Sequence, residues 1–255
     1  MYVIRKFIYF TFSKMIIGQS AEIKLSVSRK EFLQLYELLL HEDKDSLNME
    51  MKEQIVYFAD DETLEFYQKK HLAIRFRRSN RGLEVVVKKR WITRAQFKKI
   101  EQHFKDIPNH NLKLDIDQIS EHSKTLSCIL RYTLNSVHQS FAFYNEPYDL
   151  LSESQKEFLW KFTKADLKKL RFLIPIQSKT FIFPSEFKEF ESISLEERRM
   201  PKLFGGKFYE ITAKTSFYQK KTVDHFFQLC DKMDISLHNM NIYKTEWLYN
   251  AYFNV

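Results

Sequence analysis

The residues best placed to do chemistry are charges spaced two apart inside apolar runs. They are Glu22/Lys24, Arg75/Arg77, Glu84/Lys88/Arg90, Glu210/Thr212/Lys214, and Lys179 preceded by Arg171. In a strand, period two puts each set on one side of a sheet. A solvated sheet face is the simplest explanation for one such strand, but five strands share the feature. If the sheet curls into a barrel, these faces line its lumen with Lys, Arg and a few carboxylates. Burying so many like charges is costly without an anionic guest. A triphosphate fits that requirement, because arginines and lysines neutralise its oxygens while carboxylates hold a bridging divalent cation, Mg²⁺ or Mn²⁺.

The elements that must carry these residues can be read from periodicity. Ile23, Leu25 and Val27 alternate with Glu22, Lys24 and Ser26, which predicts a strand over 20–27. From Ser28, the spacing of Phe32, Leu35, Tyr36, Leu39 and Leu40 predicts a helix over 29–41. Strands are expected near 51–60, 71–78 and 83–91, the last pair joined as a hairpin through Arg81-Gly82. Phe97, Ile100 and Phe104 predict a helix over 94–106, and Ser152 to Gln155 reads as the capping box of a helix over 152–168. Strands return at 171–183 and 188–195, and a Gly205-Gly206 turn leads into a strand over 207–216. A helix over 220–233 and a tail containing KTEWLYNAY follow. With no βαβ alternation, the expected class is α+β: an antiparallel barrel of about eight strands with flanking helices. Residues 20–255 read as one domain with a partly helical insertion at about 94–168, behind an extension over 1–19.

Composition narrows the chemistry. The 255 residues hold 41 Lys and Arg against 33 Asp and Glu, for a formal net charge of +8. Glycine occurs four times, far below the usual share of about 7%. No glycine-rich phosphate loop exists, so any phosphate must be held by side chains. Cys128 and Cys230 lack zinc or disulfide spacing and read as reduced thiols of a cytoplasmic protein. A nucleophilic serine elbow is absent. The first twenty residues are basic and aromatic, too short and too broken for a membrane span, and fit a targeting segment, an upstream extension or a packing strand.

Six segments recur in the order seen in a known family. AEIKLSV at 21–27, YFADDETLEFY at 57–67, LAIRFRR at 72–78, LEVVVKKR at 83–90, SKTFIF at 178–183 and FYEITAK at 208–214 resemble CYTH domains. These are the triphosphate tunnel metalloenzymes, which include class IV adenylate cyclases and thiamine triphosphatases. The resemblance covers residues 20–91 and 169–250. It implies an E-x-E-x-K strand, central R-x-R and lysine positions, and a late E-x-E strand. The resemblance carries over to Lys24, Arg75, Arg77 and Lys88, expected to act in catalysis, to Glu22 and Glu210, expected to bind metal, and more loosely to Arg171 and Lys179, which with Arg90 and Lys214 from the charge spacing are expected to bind substrate. Two strands depart from the pattern: the first lacks one carboxylate, with Ser20 at the first glutamate position or, in the other register, Lys24 at the second and Ser26 at the lysine, and the late strand has Thr212 where a second glutamate belongs.

Three functions compete at this stage. One is metal-dependent hydrolysis of a triphosphate compound, or cyclisation of a nucleotide. Another is a binder of polyphosphate, nucleotide or RNA 5′-triphosphate that has lost its chemistry. The third is a nucleic-acid-binding surface using the Arg75–Arg78 and Lys88–Arg90 runs, with Phe76 and Trp91 as stacking groups and, against that, Trp91 packed in the core. Asp60-Asp61-Glu62 reads as a turn, and Asp115 and Asp117 read as a strand edge.

Overall fold

In the computed structural model, the described residues are 21–42, 49–80, 82–104, 111–118, 124–134, 146–184, 190–201, 206–216, 218–235 and 244–253. The extension over 1–19 and Gly205 lie outside them.

Nine strands close into a barrel. They are β1 (Ala21–Val27), β2 (Glu50–Asp60), β3 (Leu72–Ser79), β4 (Gly82–Arg90), β5 (Asn111–Gln118), β6 (Lys124–Leu134), β8 (Ile176–Pro184), β9 (Ser192–Arg199) and β10 (Lys207–Thr215). Their order is β3-β4-β6-β5-β1-β10-β9-β8-β2, and β2 pairs back onto β3 to close the ring. A two-residue β7 (Arg171–Phe172) pairs with the end of β2. Every barrel pairing is antiparallel except β1 with β5, which is parallel. The barrel is therefore mixed, one strand larger than expected. The added strand comes from the segment expected to be an insertion: β5 and β6 are staves of the barrel, and the helices around them cover its outside.

Alternation decides which way each side chain points. Leu72, Ile74 and Phe76 on β3 and Val85 and Val87 on β4 face outward into a core with α3 (Arg94–Phe104) and α5 (Glu153–Thr163). Ile23 and Leu25 on β1, with Ile211 and Ala213 on β10, face a second core under α1 (Arg29–Glu42) and α6 (Lys220–Lys232). Their polar neighbours at intervening positions must face inward.

The covering helices start where their sequences dictate. The backbone N–H groups of Ser28 and Glu31 each donate to the other's side-chain oxygen at the start of α1, as do those of Thr93 and Gln96 at α3 and of Ser152 and Gln155 at α5. Each is a capping box that satisfies otherwise orphaned N–H groups. Gln155 is fully buried and its amide also donates to Val85 O (3.0 Å) and Leu130 O (3.3 Å), tying α5 to β4 and β6. Two short helices, α2 (Glu65–Gln68) and α4 (Pro147–Leu150), fill the corners. The β3–β4 hairpin closes at Ser79↔Gly82, and the φ of +118° at Gly82 is one that glycine alone adopts readily.

One barrel end is stoppered. The tail expected only to pack on the barrel forms α7 (Lys244–Phe253), whose Leu248 and Tyr249 sit against Val56, Phe58, Ile176 and Met200. Phe208 meets Trp247 there, with ring centroids 5.2 Å apart. Asp60, fully buried at the end of β2, accepts hydrogen bonds from Tyr249 (2.9 Å) and from the backbone of Asp61, Phe66 and Tyr67. Asp61 caps the same turn through Thr63 and Glu65. The acidic run at 60–62 thus builds a turn, as its sequence suggested. No helix among the described residues is long and apolar enough to cross a membrane.

Candidate active site

The inward positions enclose a cavity of about 300 Å³ lined by nine basic and three acidic residues. Four of the expected residues, Lys24, Arg75, Arg77 and Lys88, line it, together with Arg90 and Glu22. Their neighbours include Lys52, Lys113, Asp115, Arg131, Glu196 and Arg198, none of which the sequence singled out as part of a site.

On the wall made by β1, β4 and β5, three carboxylates converge. Glu22 and Asp117 are register partners across the parallel β1–β5 pair, and Asp115 follows on the same face of β5. Ligand oxygens of Glu22, Asp115 and Asp117 all lie within 4.8 Å of one another. Two ammonium groups share them. Lys24 bonds Asp117 and lies 2.5 Å from Glu22, while Lys88 bonds the other oxygen of Asp117, which also accepts from Ser127 (3.2 Å). The charges shift accordingly. Lys24 drives Glu22 down to about 2. Burial opposes ionisation of Asp117, but Lys24, Lys88 and Arg90 hold it well below the usual carboxylate range. Burial and the Glu22 charge raise Asp115. Burial also works against the Lys24 ammonium, yet Asp117 and Glu22 together hold it well above its ordinary value. Lys88 has fewer carboxylates around it, so burial wins and its value falls.

This donor set fits a hard divalent cation such as Mg²⁺ or Mn²⁺: three carboxylates on adjacent strands, all oxygen donors. It also answers the departure at Lys24. The carboxylate lacking on β1 is matched by two on β5, its parallel neighbour.

Toward β3, β6 and β9 the lumen becomes arginine-rich. Glu84 reaches Arg77 (3.0 Å), its register partner, and Arg131 (2.7 Å). Arg198 is 2% exposed; its Nε donates to Glu196 (2.8 Å), while Nη1 is buried with no hydrogen-bond partner among the described residues. Arg75 Nε is buried and unpartnered in the same sense. Burial lowers the Arg77 value; Glu84 resists this, and the nearby Arg131 and Arg198 charges add to it.

Four expected residues stand elsewhere. Lys179 has the outward parity of β8, lies over the Phe181 ring and pairs with Glu53 (3.5 Å). Arg171 is exposed on β7 and pairs with Glu146 (3.3 Å). Lys214 has the inward parity of β10 but sits at the strand end, half exposed and paired with Glu191 (2.7 Å). Glu210 is buried and faces inward, but its register partner on β1 is Ser26, four residues from Glu22. It stands outside the cluster of three carboxylates, although its charge helps to hold up the Lys24 ammonium. Glu210 instead stands directly opposite Glu196 on β9 and accepts from Thr212 (3.1 Å).

No protein-family model matches the sequence, and no curated protein is similar enough to count as a relative. Solved structures do match. A candidate adenylyl cyclase from Hippeastrum with a dominant triphosphatase activity is 16% identical, with a TM-score of 0.58 over 90% of this chain and 94% of that one. A candidate adenylate cyclase from Bacillus halodurans is 12% identical, with a TM-score of 0.52 over 87% and 92%. The chain has the triphosphate tunnel fold.

Proposed function

We propose that the tunnel binds a triphosphate, inorganic or at the end of an organic molecule, and hydrolyses it with a divalent cation at Glu22, Asp115 and Asp117. The observation that carries this reading is Arg75, which lines the cationic lumen and whose buried Nε has no hydrogen-bond partner among the described residues. A buried guanidinium N–H left without an acceptor is a standing cost that a phosphate oxygen removes. The fold shared with the Hippeastrum triphosphatase supports the same reading.

Each residue then has a role. Arg75, Arg77, Arg131 and Arg198 take the phosphate oxygens, with the planar fork that suits them. Lys24 and Lys88 shift from Asp117 to the incoming phosphates, which leaves the carboxylates to the cation. Arg90, beside Asp117, adds positive charge at the deep end. Bound there, the cation supplies Lewis-acid polarisation of the phosphate oxygens. Water is the nucleophile, and the arginines stabilise charge that builds on the departing phosphate. A second reading, binding without turnover, draws on one contact: the Lys24 ammonium sits between Glu22 and Asp117, where a cation would otherwise lie.

Phosphate release from tripolyphosphate and ATP, with Mg²⁺ or Mn²⁺, separates the two. Turnover abolished in Asp117→Asn and strongly reduced in Arg75→Met supports hydrolysis. Thermal stabilisation by tripolyphosphate without turnover, lost in Arg75→Met, supports the binder. If neither turnover nor stabilisation occurs, both readings fail.

A further inference from the structure

Outside the tunnel, at the start of β3 and the end of β4, two bulky residues hold left-handed backbone conformations. His71 has φ of 51° and Trp91 of 58°, and His71 O accepts from Arg90 N at 2.9 Å. Such conformations cost on the order of 1–3 kcal/mol each for non-glycine residues. Trp91 gains no burial in exchange, since it is 57% exposed. Its ring meets His71 edge-on, with centroids 6.5 Å apart. Neither packing nor backbone preference accounts for an indole held out in this way.

The surroundings are basic. Lys69 and Lys70 directly precede His71, and Arg94 opens α3 three residues after Trp91. Glu65 touches both lysines, but at 3.9 and 4.0 Å, the outer limit of an ion pair. An exposed indole whose own and whose paired strand carry cations within a few residues is what base stacking with phosphate contacts requires. One indole offers little apolar area to a lipid surface, which favours a nucleobase over a bilayer.

We propose that this corner binds single-stranded nucleic acid, with a base stacked on Trp91 and the flanking phosphates on Lys69, Lys70 and Arg94. The site is separate from the tunnel and does not depend on the hydrolytic reading.

The test is fluorescence anisotropy of the full chain with a short oligouridylate carrying a 5′-hydroxyl, which presents no triphosphate to the tunnel. Trp91→Ala is expected to weaken binding roughly ten-fold, the scale of one lost stack, while tripolyphosphate hydrolysis stays unchanged. Lys69→Glu with Lys70→Glu should weaken it further and flatten the slope of log affinity against log salt by about 1.4. Tripolyphosphate at matched ionic strength should not displace the oligonucleotide. The proposal is overturned if Trp91→Ala binds like the parent, if tripolyphosphate competes, or if anionic vesicles bind through these residues while the oligonucleotide does not. Should Trp91→Ala fail to fold, the double lysine variant, altered only at the surface, decides the matter in its place: oligonucleotide affinity equal to the parent's overturns the site.

Discussion

On the wall formed by β1, β4 and β5, Glu22, Asp115 and Asp117 face Lys24 and Lys88, and both ammonium groups touch Asp117. Toward β3, β6 and β9, Glu84 and Glu196 are set among Arg75, Arg77, Arg131 and Arg198, with buried guanidinium nitrogens left over. The first wall is self-neutralising and offers carboxylate oxygens when its lysines move. The second carries a surplus that only an anion can meet. On the function proposed above, the first cluster would hold the metal and the second the phosphates, although both are built from the same alternating strands, which interleave around the barrel.

Asp117 is the sharpest place to break that contrast. Asp117→Asn leaves Lys24 and Lys88 buried without their shared counter-charge, so denaturant unfolding should show a loss of about 3–5 kcal/mol. Cation-dependent turnover should disappear with it. On the other wall the signs separate. Arg75→Met keeps the apolar stem but removes a guanidinium whose buried Nε has no hydrogen-bond partner among the described residues; kcat/KM for tripolyphosphate should fall about 100-fold or more while Tm rises. A fall in both would mean that Arg75 has a structural partner and that the walls are alike.

Two carboxylates give opposite pH signatures. Glu22, held at about 2, stabilises the fold fully above its unfolded value near 4.5, and that contribution is lost as pH drops toward 2. At Asp60 burial outweighs the hydrogen bonds from Tyr249 and the backbone and raises the carboxyl to about 6. Its ionised form is the less stable one in the fold, so its penalty grows as pH rises from about 4 to 6. Between pH 3.5 and pH 7 this group should lower stability by about 2–3 kcal/mol, and Asp60→Asn should flatten that decline. The smallest expected effect is at the residues that the structure places outside the lumen. Lys179→Ala and Lys214→Ala should change turnover less than about two-fold and stability by less than about 0.5 kcal/mol, as for other exposed pairs.

Half of the lumen was legible in the sequence. Where charges recur at even spacing opposite a continuous apolar face, as Glu22 and Lys24 do opposite Ile23 and Leu25, Arg75 and Arg77 opposite Ile74 and Phe76, and Glu84 and Lys88 opposite Val85 and Val87, parity alone assigns the inward face. Parity misleads at Lys179, where Thr180 rather than Lys179 has the inward phase, and at Lys214, where the strand ends too soon. Leu112, Leu114 and Ile116 alternate with Lys113, Asp115 and Asp117 just as clearly. Yet two aspartates on a strand with no assigned partner read equally well as a solvated edge. Only the parallel pairing with β1, a contact across more than 90 residues of chain, shows that they face Glu22. Glu196 to Arg199 are four consecutive charges, which hide the period of two that sends Glu196 and Arg198 inward and Glu197 and Arg199 outward. The turn at Asp60 and the cap at Ser152 could be read because both are local; the stopper formed by α7 could not, because nothing near Trp247 indicates which end of the barrel it meets.

That stopper makes the tunnel a cul-de-sac at the end where Trp247, Leu248 and Tyr249 sit. On the hydrolytic reading proposed above, a phosphate chain could not be threaded past it, and the tunnel would read chain ends and not chain interiors. Whatever is released deep in the lumen has to back out along the path by which the substrate came, and pyrophosphate lingering there would hold the next substrate at the door.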